Sequence, residues 1–276
     1  QTFLLAEETL KNEKLGLRKS VDYLGISLSS HDMLGHAVGP NSEEMRELTI
    51  YEDIRLSQFL NQLQKHIKSL ENVEIVLTAD HGVAPTVEYA QNAKFNSGKL
   101  DYLAIYRNIN QRLDKVFGSS DKSWIKSSEA LNFYFNQDVI KSKKANIGEI
   151  EKEVQSALEE QEGIHQVLVR SDLMASRFPP GELGLQVQRQ FRSDTAGDFI
   201  IIPKIYFMDK DDNVTTTHMT GYSYDRTVPI LFFGSKFKPG VYSQAAKVID
   251  IAPTLSFATS VLPPAASEGQ VLPIFK

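Results

Sequence analysis

The 276-residue chain is 41% hydrophobic and 24% charged, the balance of an ordinary globular protein, and at about 150 residues per domain it holds one large domain or two modest ones. Its formal net charge of -5 argues against a broad basic surface for a nucleic-acid polymer, although a local cation could still hold a small anion. No apolar run approaches the roughly 20 residues that span a bilayer. With no cysteine, disulfides and thiolate ligands are ruled out, so any metal must be held by Asp, Glu and His.

The opening QTFLLAEETLKNEKLG has neither an initiator Met nor a basic-then-apolar leader pattern. It reads as an amphipathic helix already under way, the expectation for a piece of a longer polypeptide. VDYLGISLSS alternates and predicts a strand that ends in a polar, Gly-containing loop, HDMLGHAVGPNS. Asn41 with Glu44 fits a capping box, and Leu56, Phe59, Leu60, Leu63, Ile67 and Leu70 recur at helical spacing, so a long helix should follow with that stripe in the core. VEIVLTAD then supplies a second strand. A strand, helix, strand unit predicts a right-handed connection, parallel strands and both following loops on one edge of the sheet.

Residues 1–86 are therefore read as the first part of an α/β core, residues 87–208 as an inserted α+β subdomain, and residues 209–276 as the closing part of the core. Within the insertion, LNFYF predicts a strand. Asn146 caps a helix with the stripe Ile147, Ile150, Val154 and Leu158, Gly163 ends it, and HQVLVRS alternates as another strand. FPPGELG reads as a turn-rich loop, FIIIPKIYFM as a strand broken by Pro203, and KDDNVTTT as a polar loop. VPILFFG resumes the buried-strand style of the core, and KVIDIAPTLSFA supplies a closing helix with Asp250 near its start.

Three places carry chemistry. Asp32 and His36 lie in SSHDMLGHAVGPNS, Asp80 and His81 in TADHG, and His218 in THMTGYSYD. Each lies beside a strand end, where open α/β sheets place their ligands. A single Asp-His-Gly triplet is equally a turn in which the carboxylate bonds nearby amides, and a D-x-x-x-H spacing is common by chance. All three together point to a cation held by carboxylate and imidazole. Asp32, His36 and His218 could supply three ligands of one ion, and Asp80 with His81 two ligands of a neighbour.

SSHDMLGHAVGPNSEE, VLTADHG, HMTGYSYDRTVPILFFG and VIDIAPTLSF, in that order along nearly the whole chain, resemble the alkaline phosphatase superfamily, most of all the branch of PafA-like alkaline phosphatases and nucleotide pyrophosphatase/phosphodiesterases. The resemblance implies a doubly wound, mostly parallel α/β sheet with an inserted α+β subdomain. It also implies a small phosphate-ester substrate and two zinc ions, one held by Asp32, His36 and His218 and the other partly by Asp80 and His81. The remaining ligands of the second zinc, the Thr or Ser nucleophile and the substrate-contacting Asn, Lys and Arg belong upstream of anything this chain aligns with. No catalytic nucleophile is therefore assigned here, and the upstream part of the same polypeptide is the expected partner. A periplasmic or secreted location follows from the family alone. A sulfatase or a phosphoglycerate mutase of the same superfamily, or a non-catalytic metal-binding fragment, are the alternatives. His31 stands where relatives often carry Thr and would face substrate or solvent. His66 and His165 read as surface or structural, and Ser29, Ser30, Thr78 and Thr220 match non-nucleophilic positions. Glu43 and Glu44 serve a helix start, and Asp53, Asp225 and Asp250 serve salt bridges or caps.

Overall fold

In the computed structural model, which describes residues 1–210 and 213–276, the chain separates into two units. One is built from Gln1–Leu34, Ser42–Gly82 and Thr227–Lys276, the other from Gly35–Asn41 and Val83–Arg226. Residues 211 and 212 of the polar loop KDDNVTTT lie outside the described residues.

In the first unit the amphipathic N-terminus forms the helix Thr2–Asn12, which buries Phe3, Ala6 and Leu10. The Phe3 ring centroid lies 5.7 Å from that of Phe59 on the 25-residue helix Glu43–Ile67. Ser42, not Asn41, caps that long helix by accepting the Met45 amide at 3.2 Å. Ser and Asn cap about equally well, so propensity does not choose between neighbours. The predicted stripe faces inward, with Phe59 and Leu63 buried and Leu56, Leu60, Ile67 and Leu70 packed around them.

The strand expected at VDYLGISLSS is not formed. Its side chains alternate, with Leu24, Ile26 and Leu28 packed on the helical cluster and Val21 and Tyr23 exposed, but among the described residues it joins no ladder. Alternation supplies a face; a strand also needs a neighbouring backbone to pair with. Ser29 already begins the helix Ser29–Val38, so much of the expected polar loop is helical as well.

VEIVLTAD does yield a strand, Ile75–Thr78, paired antiparallel with Ile230–Phe233 and not parallel with residues 21–28. Phe232 turns inward to a cluster with Phe237, Ala258 and Ile274. Leu77, Leu231 and Phe233 are 45%, 53% and 55% exposed, so VPILFFG is buried on one face only. The closing helix forms at Ile251–Thr259 after a 3-10 turn at Val248–Asp250. Asp250 acts as the expected cap, accepting the amides of Lys247 and Gln270, each at 2.8 Å.

The second unit centres on a four-stranded antiparallel sheet in the order Ile125–Glu129, Asn132–Phe135, Phe199–Pro203 and Ile164–Val169. The helices Tyr102–Phe117 and Ile147–Glu159 share its core, where Ile105, Ile109, Trp124, Phe133, Ile150, Val154, Leu158 and Phe199 are completely buried. Phe133 and Phe199 stack with centroids 4.9 Å apart. Asn146 caps its helix, accepting the amides of Gly148 and Glu149. Ile147, the first member of the predicted stripe, stays exposed. The helix ends at Glu160, not Gly163. Gly163 (φ +85°) instead turns the chain into the next strand, so close to Phe207 that a Cβ would meet its ring at 2.4 Å; only glycine meets both demands. Pro203 ends its strand as expected, and Phe207–Asp209 pairs in parallel with Gly98–Leu100. FPPGELG is not wholly a loop, since Gly181 opens the helix Gly181–Gln190. No described helix is long and apolar enough to cross a membrane.

Candidate metal centre

The helix Ser29–Val38 carries Asp32 and His36 one turn apart, the spacing that puts two side chains on one helix face. His31, between them and the helix start, is exposed, the solvent-facing alternative of the two expected, with its Nε2 3.1 Å from Thr49 Oγ1. Burial raises the nearby Glu52 carboxyl above its ordinary value, while the His31 charge lowers it.

In the first unit Asp80 and His81 follow the strand Ile75–Thr78. Nδ1 of His81 lies 2.9 Å from the Gly82 carbonyl oxygen. A carbonyl only accepts, so that nitrogen carries the proton and Nε2 keeps its lone pair. Nε2 stands between two carboxylates, 3.9 Å from Asp32 Oδ1 and 3.8 Å from Asp80 Oδ2. These separations are too long for hydrogen bonds and close to the spacing of two donors that each sit about 2 Å from a common cation.

In the second unit His36 repeats the device. Its Nδ1 lies 2.9 Å from the carbonyl oxygen of Thr216, so the proton is again on Nδ1 and the lone pair on Nε2. Thr216 is fully buried and donates its hydroxyl to the Ala84 carbonyl at 2.7 Å, while the Thr215 amide donates to the His36 carbonyl at 2.8 Å. The segment before His218 is thus tied to residue 36 on one side and residue 84 on the other. The His36 and His218 rings lie 5.0 Å apart, tilted by 41°.

Past His218 the backbone is unusual. Met219 has φ +142°, a conformation that costs a residue with a Cβ roughly 1–3 kcal/mol. Oδ2 of Asp225 accepts the amides of Met219 at 3.1 Å and Thr220 at 2.7 Å, and the Thr220 hydroxyl at 2.6 Å. Hydrogen bonds to a charged acceptor contribute about 1.5–3 kcal/mol each, so the three together exceed the backbone cost. The Tyr222 hydroxyl donates to the Pro203 carbonyl at 2.7 Å, and Tyr224 stacks on Tyr206 with centroids 5.3 Å apart. Burial pushes the Tyr224 hydroxyl up to about 12.

Within each unit, then, the geometry groups Asp32, Asp80 and His81, and separately His36 and His218. Among the other polar candidates, His66 bonds the Leu15 carbonyl at 3.0 Å and His165 is exposed on its strand. The hydroxyl of Thr78 is directed at the Ala79 carbonyl at 3.4 Å. Two participants escaped sequence reasoning. Thr216 gave no signal, since it lies in a run of three threonines. Asp225 was expected in a salt bridge or cap, and the T-x-x-x-x-D spacing from Thr220 was the only hint of its actual task.

Taken unit by unit, carboxylate and imidazole donors, with the His81 and His36 rings each oriented by a carbonyl on Nδ1, are of the kind that divalent metal ions accept. The family description Type I phosphodiesterase / nucleotide pyrophosphatase matches residues 2–223. The chain belongs to that family. The chain is 28% identical over 271 residues to alkaline phosphatase PafA of Elizabethkingia meningoseptica, covering 98% of this chain and 48% of that protein. It is 30% identical over 264 residues to a Myroides odoratus protein named as a calcium-transporting ATPase, covering 92% and 46%. It is 30% identical over 275 residues to alkaline phosphatase PhoV of Synechococcus elongatus, covering 98% and 48%. The crystal structure of wild-type PafA superposes with a TM-score of 0.90 at 27% identity, covering 100% of this chain and 52% of that one. The fold is accordingly the α/β fold of the alkaline phosphatase superfamily. The chain spans about half the length of the curated relatives it matches.

Proposed function

We propose that this chain is the metal-holding portion of a zinc-dependent phosphoester hydrolase, acting on a small phosphate mono- or diester. In this reading Asp32, His36 and His218 hold one zinc, and Asp80 and His81 contribute to a second. Residues 87–208 form the subdomain inserted between two stretches of the alkaline phosphatase-like core, and the enzyme is periplasmic or secreted. Zinc, when bound, supplies positive charge to the attacking and leaving oxygens of an in-line displacement. The chain's own residues do the preparatory work. The carbonyls of Thr216 and Gly82 hold the protons of His36 and His81 on Nδ1 and leave the lone pair of each ring on Nε2, and the carboxylates would balance the charge of the ions.

The observation that carries the reading is this shared tautomer-setting contact at 2.9 Å in both histidines, found in a chain of a phosphodiesterase family. The resemblance matches Ser29, Ser30, Thr78 and Thr220 to non-nucleophilic positions of the family. Thr220 donates to Asp225, and Ser29 and Ser30 open a helix. The nucleophile is therefore assigned to the upstream part of the polypeptide.

The test is an intact mass, a zinc analysis and zinc-supplemented hydrolysis of aryl phosphate mono- and diesters by the same sample. Zinc retention with little or no turnover is expected, because loss of a nucleophile removes most of the rate. Robust turnover at an intact mass of 31.0 kDa would return one of the discounted hydroxyls to the mechanism. Failure to retain zinc would remove the metal assignment.

A further inference from the structure

We propose that Asp225 is a positioning residue for His218: by holding the backbone just past the imidazole in a conformation it would otherwise leave, it sets how tightly that imidazole binds metal. The inference rests on reading His218 as a ligand.

His218 sits between two clamps. Ahead of it, Thr216 is tied to His36 and Ala84. Behind it, Met219 has φ +142°, a region that side chains with a Cβ rarely occupy. The segment would relax away from that region unless something held it. Asp225 is the group in place to hold it: one carboxylate oxygen accepts the amides of Met219 and Thr220 and the Thr220 hydroxyl. The residue is only 4% exposed, and its other oxygen is buried without a hydrogen-bond partner among the described residues. A residue that merely capped the short helix Ser223–Arg226 would accept amides ahead of it in the chain. The three hydrogen bonds of the Asp225 carboxylate all run backward, to the two residues that follow His218. Tyr222 and Tyr224 dock the outer end of the loop on Pro203 and Tyr206, while Asp225 holds the two amides that directly follow His218. Groups that orient a ligand without touching the metal commonly change affinity 10- to 100-fold when removed.

The experiment is a Co²⁺ titration of the whole chain, read from the d–d absorption bands and from competition with a chromophoric chelator. It is run on the wild type, Asp225→Ala, Asp225→Asn and Asp225→Ala combined with Met219→Gly. Asp225→Ala should weaken Co²⁺ binding about 10- to 100-fold and alter the band pattern. Asp225→Asn keeps an acceptor oxygen and should lose less than about tenfold. Glycine adopts the φ of residue 219 without steric cost, so Met219→Gly should recover at least roughly threefold of the affinity lost in Asp225→Ala. Asn146→Ala, which removes a helix cap elsewhere in the same unit, serves as a stability control and should lower the melting temperature while leaving Co²⁺ affinity unchanged.

If Asp225→Ala binds Co²⁺ within about twofold of wild type, or if Asn146→Ala loses as much affinity, the inference is overturned while the metal reading stands. A wild-type chain that does not bind Co²⁺ overturns both. If Asp225→Ala does not melt cooperatively, Asp225→Asn decides: a smaller but measurable loss with an altered spectrum supports the role, and unchanged affinity and spectrum overturn it.

Discussion

Nδ1 of His36 meets the carbonyl oxygen of Thr216 at 2.9 Å across 180 positions of sequence. That contact sets which imidazole nitrogen carries the proton, and it ties a buried, uncharged residue to a proposed metal ligand. Thr216 is held in turn by its own hydroxyl on Ala84. Thr216→Val keeps the shape and removes that donor, leaving the Ala84 carbonyl unsatisfied at a buried position. The expected cost is about 1–3 kcal/mol. A thermal melt in the presence of chelator measures this cost separately from a second expected effect, a weaker zinc affinity.

The proposed ligands should separate cleanly from the other histidines. His36→Ala and His218→Ala should each lose most zinc affinity, whereas His66→Ala and His165→Ala should keep it, since His66 serves the Leu15 carbonyl. Zinc content after gel filtration checks this directly. A zinc-bound crystal structure in which Asp32, His36 and His218 lay more than about 8 Å apart would refute their common ion, because ligand bonds are about 2 Å long.

The second unit should depend on its aliphatic core more than on any polar contact. Ile150 is completely buried, so Ile150→Ala should cost about 2–5 kcal/mol. Asn146→Ala removes a cap that serves two amides and should cost about 1 kcal/mol. Urea denaturation should rank the two in that order with unchanged zinc affinity in the folded protein.

Alkaline conditions should weaken the His218 loop. Burial, with smaller contributions from Asp225 and Tyr222, raises the Tyr224 hydroxyl from 10.0 to about 12. The folded state therefore holds a proton that the unfolded chain releases. The contribution of Tyr224 is complete below about pH 10, declines between about pH 10 and 12, and is lost above that. Chemical denaturation across this window should show stability falling more steeply in wild type than in Tyr224→Phe, and equal slopes would contradict the burial argument.

Ile75 pairs with Phe233 and Leu77 with Leu231, so the four share one face of a two-stranded ribbon, and three of them are substantially exposed. A short apolar ribbon of this kind invites association. The chain studied alone should self-associate at micromolar concentration, and Leu231→Lys should raise the monomer fraction in sedimentation velocity without changing the melting temperature by more than a few degrees.

What the sequence by itself determined was local. The inward stripe of the helix Glu43–Ile67 and the buried Ile150, Val154 and Leu158 follow from side-chain spacing along one helix. The cap at Asn146 follows from a residue bonding amides two and three positions ahead. The absence of thiolate ligands follows from composition, whereas Asp32 and His36, expected in a polar loop, share a face only because residues 29–38 fold as a helix. What only the tertiary structure decided were relations between distant backbones. Residues 21–28 have the alternation of a strand but no ladder, and Ile75–Thr78 pairs antiparallel with a segment more than 150 positions away. The proton on His36 is set by a threonine in a featureless run, and Asp225 turns backward to Met219 instead of capping its own helix. Periodicity reports which face a residue presents, whereas a hydrogen bond needs a specific partner at about 3 Å, and no local pattern says which far segment will arrive there.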